Sequence, residues 1–174
     1  GDGSNLTNVG GGSLEFVSNT SLSANATYIY FTNLDSDSLY KIICRQIRYN
    51  GNVKPRLQVY ANGSSSIYTG NLDGASYYGS GSKQSQTHQQ TIDFDSGSTG
   101  SYWNFEMDVS TYQQGYIKAN GMMMADSNNT RFTTLFHFRG TGHTNYFSGL
   151  RFHSQPHETI LTPTEMTLYK VKQS

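Results

Sequence analysis

The sequence predicts an all-β fold, a jelly-roll-like antiparallel β-sandwich that follows a short extended linker. Three observations carry this. No window keeps apolar residues at i, i+3, i+4 and i+7 for three turns, so no helix is expected. Short runs instead alternate apolar and polar residues with a period of two, and Gly, Asn, Asp and Ser separate them, as in half-buried strands joined by turns. Aromatic residues make up 13% of the 174, with 13 Tyr and 9 Phe, which favours strands and supplies a core.

Residues 1–13 form the linker, from Gly1-Asp2-Gly3-Ser4 to Gly10-Gly11-Gly12. Only Leu6 and Val9 can pack there. One copy of such a segment buries no core, whereas several side by side can each give Leu6 and Val9 to a shared axis. Residues 14–174 form the sandwich domain. Leu14–Val17 opens it. Thr27–Thr32, with Tyr28, Ile29, Tyr30 and Phe31, is apolar on both faces and predicts a buried strand. Leu39–Tyr49 is a long strand with Ile42, Ile43, Cys44 and Ile47. Asn50-Gly51 is a hairpin signal, leading into Arg56–Tyr60, where Leu57 and Val59 alternate with polar residues. Asn62-Gly63 marks another turn. Residues 62–87, rich in Gly, Ser and Tyr, predict a long loop, and a loop of that length in a compact domain points to function or motion.

Thr91–Asp95 then alternates, with Ile92 and Phe94 inward. Trp103, Phe105, Met107 and Val109 share one face of the next strand. Tyr116–Met124 is a strand and Asp126–Asn129 a turn. Phe132–Phe138 places Phe132, Phe136 and Phe138 together, and Gly140–His143 turns again. Tyr146–Phe152 and Glu165–Lys172 complete the set. Roughly ten short strands at this spacing suit a sandwich or jelly roll.

Charged residues are only 14% of the chain, and 12 basic residues cancel 12 acidic ones. A nucleic-acid binder normally carries a basic excess, and a disordered chain a high net charge. Neither class fits. The polar surface must be built from Ser, Thr, Asn, Gln and Gly, as in adhesins and virus shells. No run of about 18 apolar residues occurs, so no membrane-spanning helix is expected. The start carries neither a basic region nor an apolar stretch, so no signal peptide is expected. Cys44 is the one cysteine, which excludes an intrachain disulfide. The core or an oligomer must therefore supply the stability.

Gly1-Asp2-Gly3-Ser4-Asn5-Leu6-Thr7-Asn8-Val9 resembles the "GDGSGLTN" repeat of phage tail fibres and related virion proteins, with Asn5 where Gly is usual. Tyr30-Phe31-Thr32-Asn33-Leu34-Asp35-Ser36, followed by Tyr40-Lys41-Ile42, resembles the "SFTGLDS…YE(I/F)" opening of a family of phage and prophage virion domains. Leu150-Arg151-Phe152 and Met166-Thr167-Leu168-Tyr169-Lys170-Val171 resemble that family's closing "IRF…FTLYGI" strands, with Lys170 in place of Gly. Between Tyr60 and Phe147 the likeness is one of texture. The resemblance implies a virion β-domain at the end of a homotrimeric shaft, located on the phage particle, with Leu6 and Val9 as trimer contacts.

Among candidate sites, the loop residues Tyr68, Asn71, Asp73, Tyr77 and Tyr78 come first. Exposed aromatic rings beside amides suit the faces and edges of sugars, although such a loop can equally pack on its own domain or on a neighbour. His137, His143, His153 and His157 cluster late, apart from His88. His153 and His157 have helical ligand spacing, which Pro156 works against, so no metal and no cofactor is expected. Asp93/Asp95 and Glu106/Asp108 each share a strand face. They could serve a glycosidase or hold Ca²⁺, but they alternate with core residues and are expected on a solvated outer face. Cys44, mid-strand, is expected in the core. Met122-Met123-Met124 is either a soft patch between subunits or an ordinary buried strand.

Three functions are in play. The first is a non-catalytic trimeric fibre tip that binds a host surface glycan or receptor. The second is a capsid decoration or tail-assembly protein that binds other virion subunits through its Met-rich face. The third is a polysaccharide-degrading virion enzyme, for which no convergent acid pair is visible. None of the three requires nucleic acid or membrane insertion.

Overall fold

The computed structural model describes residues 13–61, 66–67, 72–78, 83–89, 91–93, 100–111, 116–127, 130–140, 146–155 and 159–172. These form strands and irregular connections throughout: β1 (Leu14–Ser21), β2 (Ile29–Thr32), β3 (Leu39–Ala61), β4 (Ser66–Ile67), β5 (Leu72–Tyr78), β6 (Lys83–Gln89), β7 (Ile92–Asp93), β8 (Gly100–Ser110), β9 (Ile117–Ser127), β10 (Thr130–Gly140), β11 (Phe147–Gln155), β12 (Ile160–Leu161) and β13 (Glu165–Val171).

A long sheet runs β1-β13-β3-β8-β9-β10-β5-β6. A short sheet centres on β11, which pairs β2 on one side and the second half of β3 on the other. β4 and β7 add to the same part of β3. Every pairing among the described residues is antiparallel, and the fold is an all-β antiparallel sandwich. β3 belongs to both sheets. Its first half pairs β13 and β8, and its second half, from Lys54 to Ala61, pairs β11.

The core lies between the sheets, where inward side chains of both meet. β8 contributes Trp103, Phe105, Met107 and Val109, as its alternation predicts. Phe105 stacks on Phe152 of β11 with ring centroids 5.4 Å apart, and Phe31 of β2 meets Phe152 edge-on at 6.1 Å. Offset and edge-on pairs suit the ring quadrupoles. Within β3 the inward face changes parity: Tyr40, Ile42 and Cys44 are buried before Gln46, and Ile47 and Tyr49 after it. Gln46 has φ of 61° and the β8 register shifts there, which marks a β-bulge. Asn104 Oδ1 accepts the Gln46 N–H at 2.7 Å and fixes the bulge.

Three expectations are corrected. Asn50-Gly51 does not turn: β3 continues through it. Ile160 and Leu161 pair Tyr49 and Arg48, the Asn50 N–H donates to the Thr159 carbonyl, and Val53 pairs Gly100. These partners hold the segment extended against its local preference. Residues 62–87 are not one loop, since β5 and β6 form an antiparallel hairpin on the edge of the long sheet. β2 is not buried on both faces. Ile29 and Phe31 point inward, whereas Tyr30 and Thr32 are exposed, because only the inner face of the short sheet packs on the core. Asn62, Gly63 and the 1–12 part of the linker, with Leu6 and Val9, lie outside the described residues.

The connection from β2 to β3 is tied to the end of β8 through Thr111, which is fully buried. Its hydroxyl accepts the Ser38 N–H at 3.2 Å and donates to the Asp35 carbonyl at 2.8 Å. Its backbone carbonyl accepts from Asp37 and its N–H donates to Ser38. Thr111→Val keeps the shape and leaves both side-chain partners unsatisfied in a buried place. The expected cost is about 1–3 kcal/mol, read as a lower urea midpoint at unchanged slope. A variant as stable as the parent would show that these bonds contribute nothing net.

Candidate functional site

β5 is held in the sheet by β10, with Tyr77 opposite Leu135, Ala75 opposite His137 and Asp73 opposite Arg139. Directly opposed residues share a face, and this one points away from the core. Tyr77 is 43% exposed, and its ring stacks on that of His137 at 6.2 Å. Asp73 forms an ion pair with Arg139 at 3.6 Å. The same face continues onto β9. Met122 lies opposite Leu135, and Met122, Met124 and Leu135 are all exposed. Alternation divides the methionine triplet: Met123 is buried in the core and its two neighbours point out.

Of the sequence candidates, Asp73 and Tyr77 thus come together on one strand rather than on a loop. Tyr68 and Asn71 lie outside the described residues, as does the side chain of Tyr78. His137 joins the site from β10. A face of this kind, with two rings, a fixed ion pair and an apolar margin, can stack on a flat ligand and hydrogen-bond its edge.

A second aromatic face lies on the outside of the short sheet. Tyr28 and Tyr30 are 5.9 Å apart, and Tyr30 is 6.1 Å from Tyr60. The Arg151 guanidinium sits over the Tyr28 ring at 4.3 Å and donates to Gln58 Oε1 through Nε at 2.8 Å and also through Nη2. The Gln58 amide donates to the Thr91 hydroxyl at 3.2 Å. Burial pushes the Tyr60 phenol up, with Tyr30 raising it further and Arg151 opposing. Sequence reasoning missed this face. The signal was available, since Tyr28 and Tyr30 flank Ile29 and must share a side once Ile29 is inward.

The remaining candidates separate. Glu106 and Asp108 lie on the outer face of β8, and both reach Lys41, at 3.4 and 3.7 Å. Asp95, His143 and His157 lie outside the described residues, as do the side chains of His88 and Asp93. His153 is buried and His137 exposed on another sheet. Among the described residues no three His, Cys, Asp or Glu side chains come together to hold a metal. Cys44 is buried, and loss of solvation pushes its thiol up, so it holds little thiolate. No protein-family model matches the chain, and no curated protein matches it.

Proposed function

We propose that this chain is a non-catalytic virion structural protein, the C-terminal tip of a phage tail-fibre-like homotrimer that binds a host surface glycan or receptor. The observation that carries the binding half is the open Tyr77–His137 stack with the Asp73–Arg139 pair beside it. An exposed stacked pair offers contact area at small entropic cost, because each ring has few rotatable bonds. The trimer half has its own support. Leu14, Phe16 and Val17 of β1 are exposed directly after the linker, where a shared axis would cover them. The shaft-like motif around Leu6 and Val9 points the same way.

A second reading uses the same face differently. Met122, Met124 and Leu135 adjoin Tyr77, so the surface also suits another virion subunit, as in a capsid decoration or tail-assembly protein. Met side chains adapt to irregular partners. Substitution separates the two. Tyr77→Ala should cost about 1 kcal/mol, since the residue is half exposed and loses its cross-strand contacts. It should abolish binding to host cells while light scattering still reports a trimer. Unchanged cell binding by a trimeric Tyr77→Ala would move the site elsewhere. A trimer that ignores host cells favours the second reading, and a stable monomer ends the shared-axis argument.

A further inference from the structure

The outer face of the short sheet carries a positive charge ringed by tyrosines. Tyr30, Arg151 and Gln58 stand in one cross-strand row over β2, β11 and β3. Tyr60 follows in the next row, opposite Gly149. Gly149 has no side chain, and the Tyr60 ring uses that room: a Cβ there would lie 3.2 Å from Tyr60 Cδ2. The Tyr28 and Tyr60 rings lie 5.9 and 6.1 Å from that of Tyr30, and all three stand close to Arg151. Arg151 and Tyr28 are partly exposed and Tyr30 is 45% exposed, so the arrangement opens to solvent.

The charge is held without being neutralised. The guanidinium sits over the Tyr28 ring at 4.3 Å, and Gln58 Oε1 accepts from its Nε and Nη2. Gln58 is itself fixed by its amide on Thr91. A ring attracts a cation through its quadrupole but brings no charge to cancel it. Lys41, Arg139, Lys170 and Lys172 each have a carboxylate at 2.7–3.8 Å. Arg151 has none among the described residues. Asp93 of β7 stands in register with Arg56, on the far side of β3 from Arg151.

We propose that this face binds the carboxylate of an acidic sugar, a hexuronic or sialic-type residue of a polysaccharide. Charge complementarity selects the anion. The planar guanidinium fork matches a carboxylate, and donors remain on it beyond the edge that Gln58 takes. The rings select the sugar. Tyr30 offers a face to its C–H groups, and phenol hydroxyls can donate to and accept from its hydroxyls. A single guanidinium suits a single carboxylate, whereas a nucleic acid would call for a row of cations. Tyr28 and Gln58 hold Arg151 before any ligand arrives, so little freedom is lost on binding. The site lies on the other sheet from the Tyr77 face and does not depend on the fibre-tip reading.

The test is saturation-transfer NMR on the full chain with methyl β-glucuronide, methyl α-galacturonide and N-acetylneuraminic acid, and with methyl β-glucoside as the neutral comparison. At least one acidic sugar should receive saturation at its ring C–H protons, and the glucoside should bind about tenfold more weakly or not at all. Arg151→Gln should weaken binding about tenfold or more, and Arg151→Lys less, because it keeps the charge without the fork. Tyr30→Ala should weaken it about three- to tenfold, while Tyr77→Ala leaves it unchanged. Far-UV circular dichroism checks that each variant is folded. If Arg151→Gln does not match the parent, Tyr30→Ala, at an exposed residue, decides alone. Saturation of none of the acidic sugars overturns the proposal, as does equal binding of the glucoside. So does binding that survives these substitutions in folded variants. Binding that instead disappears with Tyr77→Ala overturns this site and leaves the acidic sugar on the β5 face.

Discussion

Trp103→Ala should destabilise the domain by about 3–5 kcal/mol. Trp103 is fully buried in the middle of the long sheet, opposite Ile47 of β3 and Ala125 of β9. Ile47 is the first inward residue after the Gln46 bulge, so the indole fills the place where β3 changes the parity of its inner face. Neighbours held by sheet pairing on both sides of β8 cannot collapse into the void left by truncation, which puts the cost at the upper end for a large-to-small change. Domains are held by about 5–15 kcal/mol in all, so the variant should be close to unfolding at physiological temperature. Urea denaturation followed by circular dichroism measures it, because the variant has no other tryptophan to report by fluorescence. A loss below about 1 kcal/mol would falsify the central packing of the indole.

Gly149→Val should cost about 1–3 kcal/mol and act locally. A Cβ at this position would lie 2.5 Å from the Phe31 carbonyl oxygen and 3.2 Å from Thr32 Cα. Both are backbone atoms of β2, which cannot rotate away as a side-chain end could. The strand must move instead, and it is the element least able to resist. β2 is four residues long and pairs β11 alone among the strands. Amide exchange should therefore accelerate at Phe31 and Thr32 well before it does in β8 or β9. Uniform acceleration across both sheets would show instead that β2 and the core open as one unit.

How far the fold could be read from the chain depended on parity. β8 was fully legible, because Trp103 to Val109 alternates without interruption. β13 and β10 were recognisable as strands although their alternation is broken, by Lys170 in the one and by Leu135 in the other. Asn50-Gly51 misled because local turn chemistry was weighed above phase. A two-residue hairpin there would set Tyr49 opposite Asn52 and bring Lys54 and Arg56 to the core face. The odd positions Ile47, Tyr49, Leu57 and Val59 all stay inward in one continuous strand, whose register against β8 shifts between Arg48 and Val53 without a reversal of the chain. The Gln46 bulge left no such trace, since its cause is the Asn104 side chain on another strand.

The β5–β6 hairpin was hidden by composition. Lys83-Gln84-Ser85-Gln86-Thr87-His88-Gln89 has no apolar residue to alternate, and pairing to β5 alone makes it a strand. A polar edge of this kind also discourages pairing with other chains. For the binding surfaces, Tyr77 and Asp73 were visible as residue types but not as a face, because His137 and Arg139 join them from some sixty residues away.

In the long sheet the last strand lies between the first and the third, with Leu14 against Val171 and Lys170 against Tyr40. Synthesis runs from the N-terminus, so β1 has no neighbour to join until Glu165–Val171 has left the ribosome. Until then the nascent chain carries β1 loose and one flank of β3 bare. Its exposed edges are then open to other nascent chains of the same message. A premature stop before Glu165 would leave both in that state permanently.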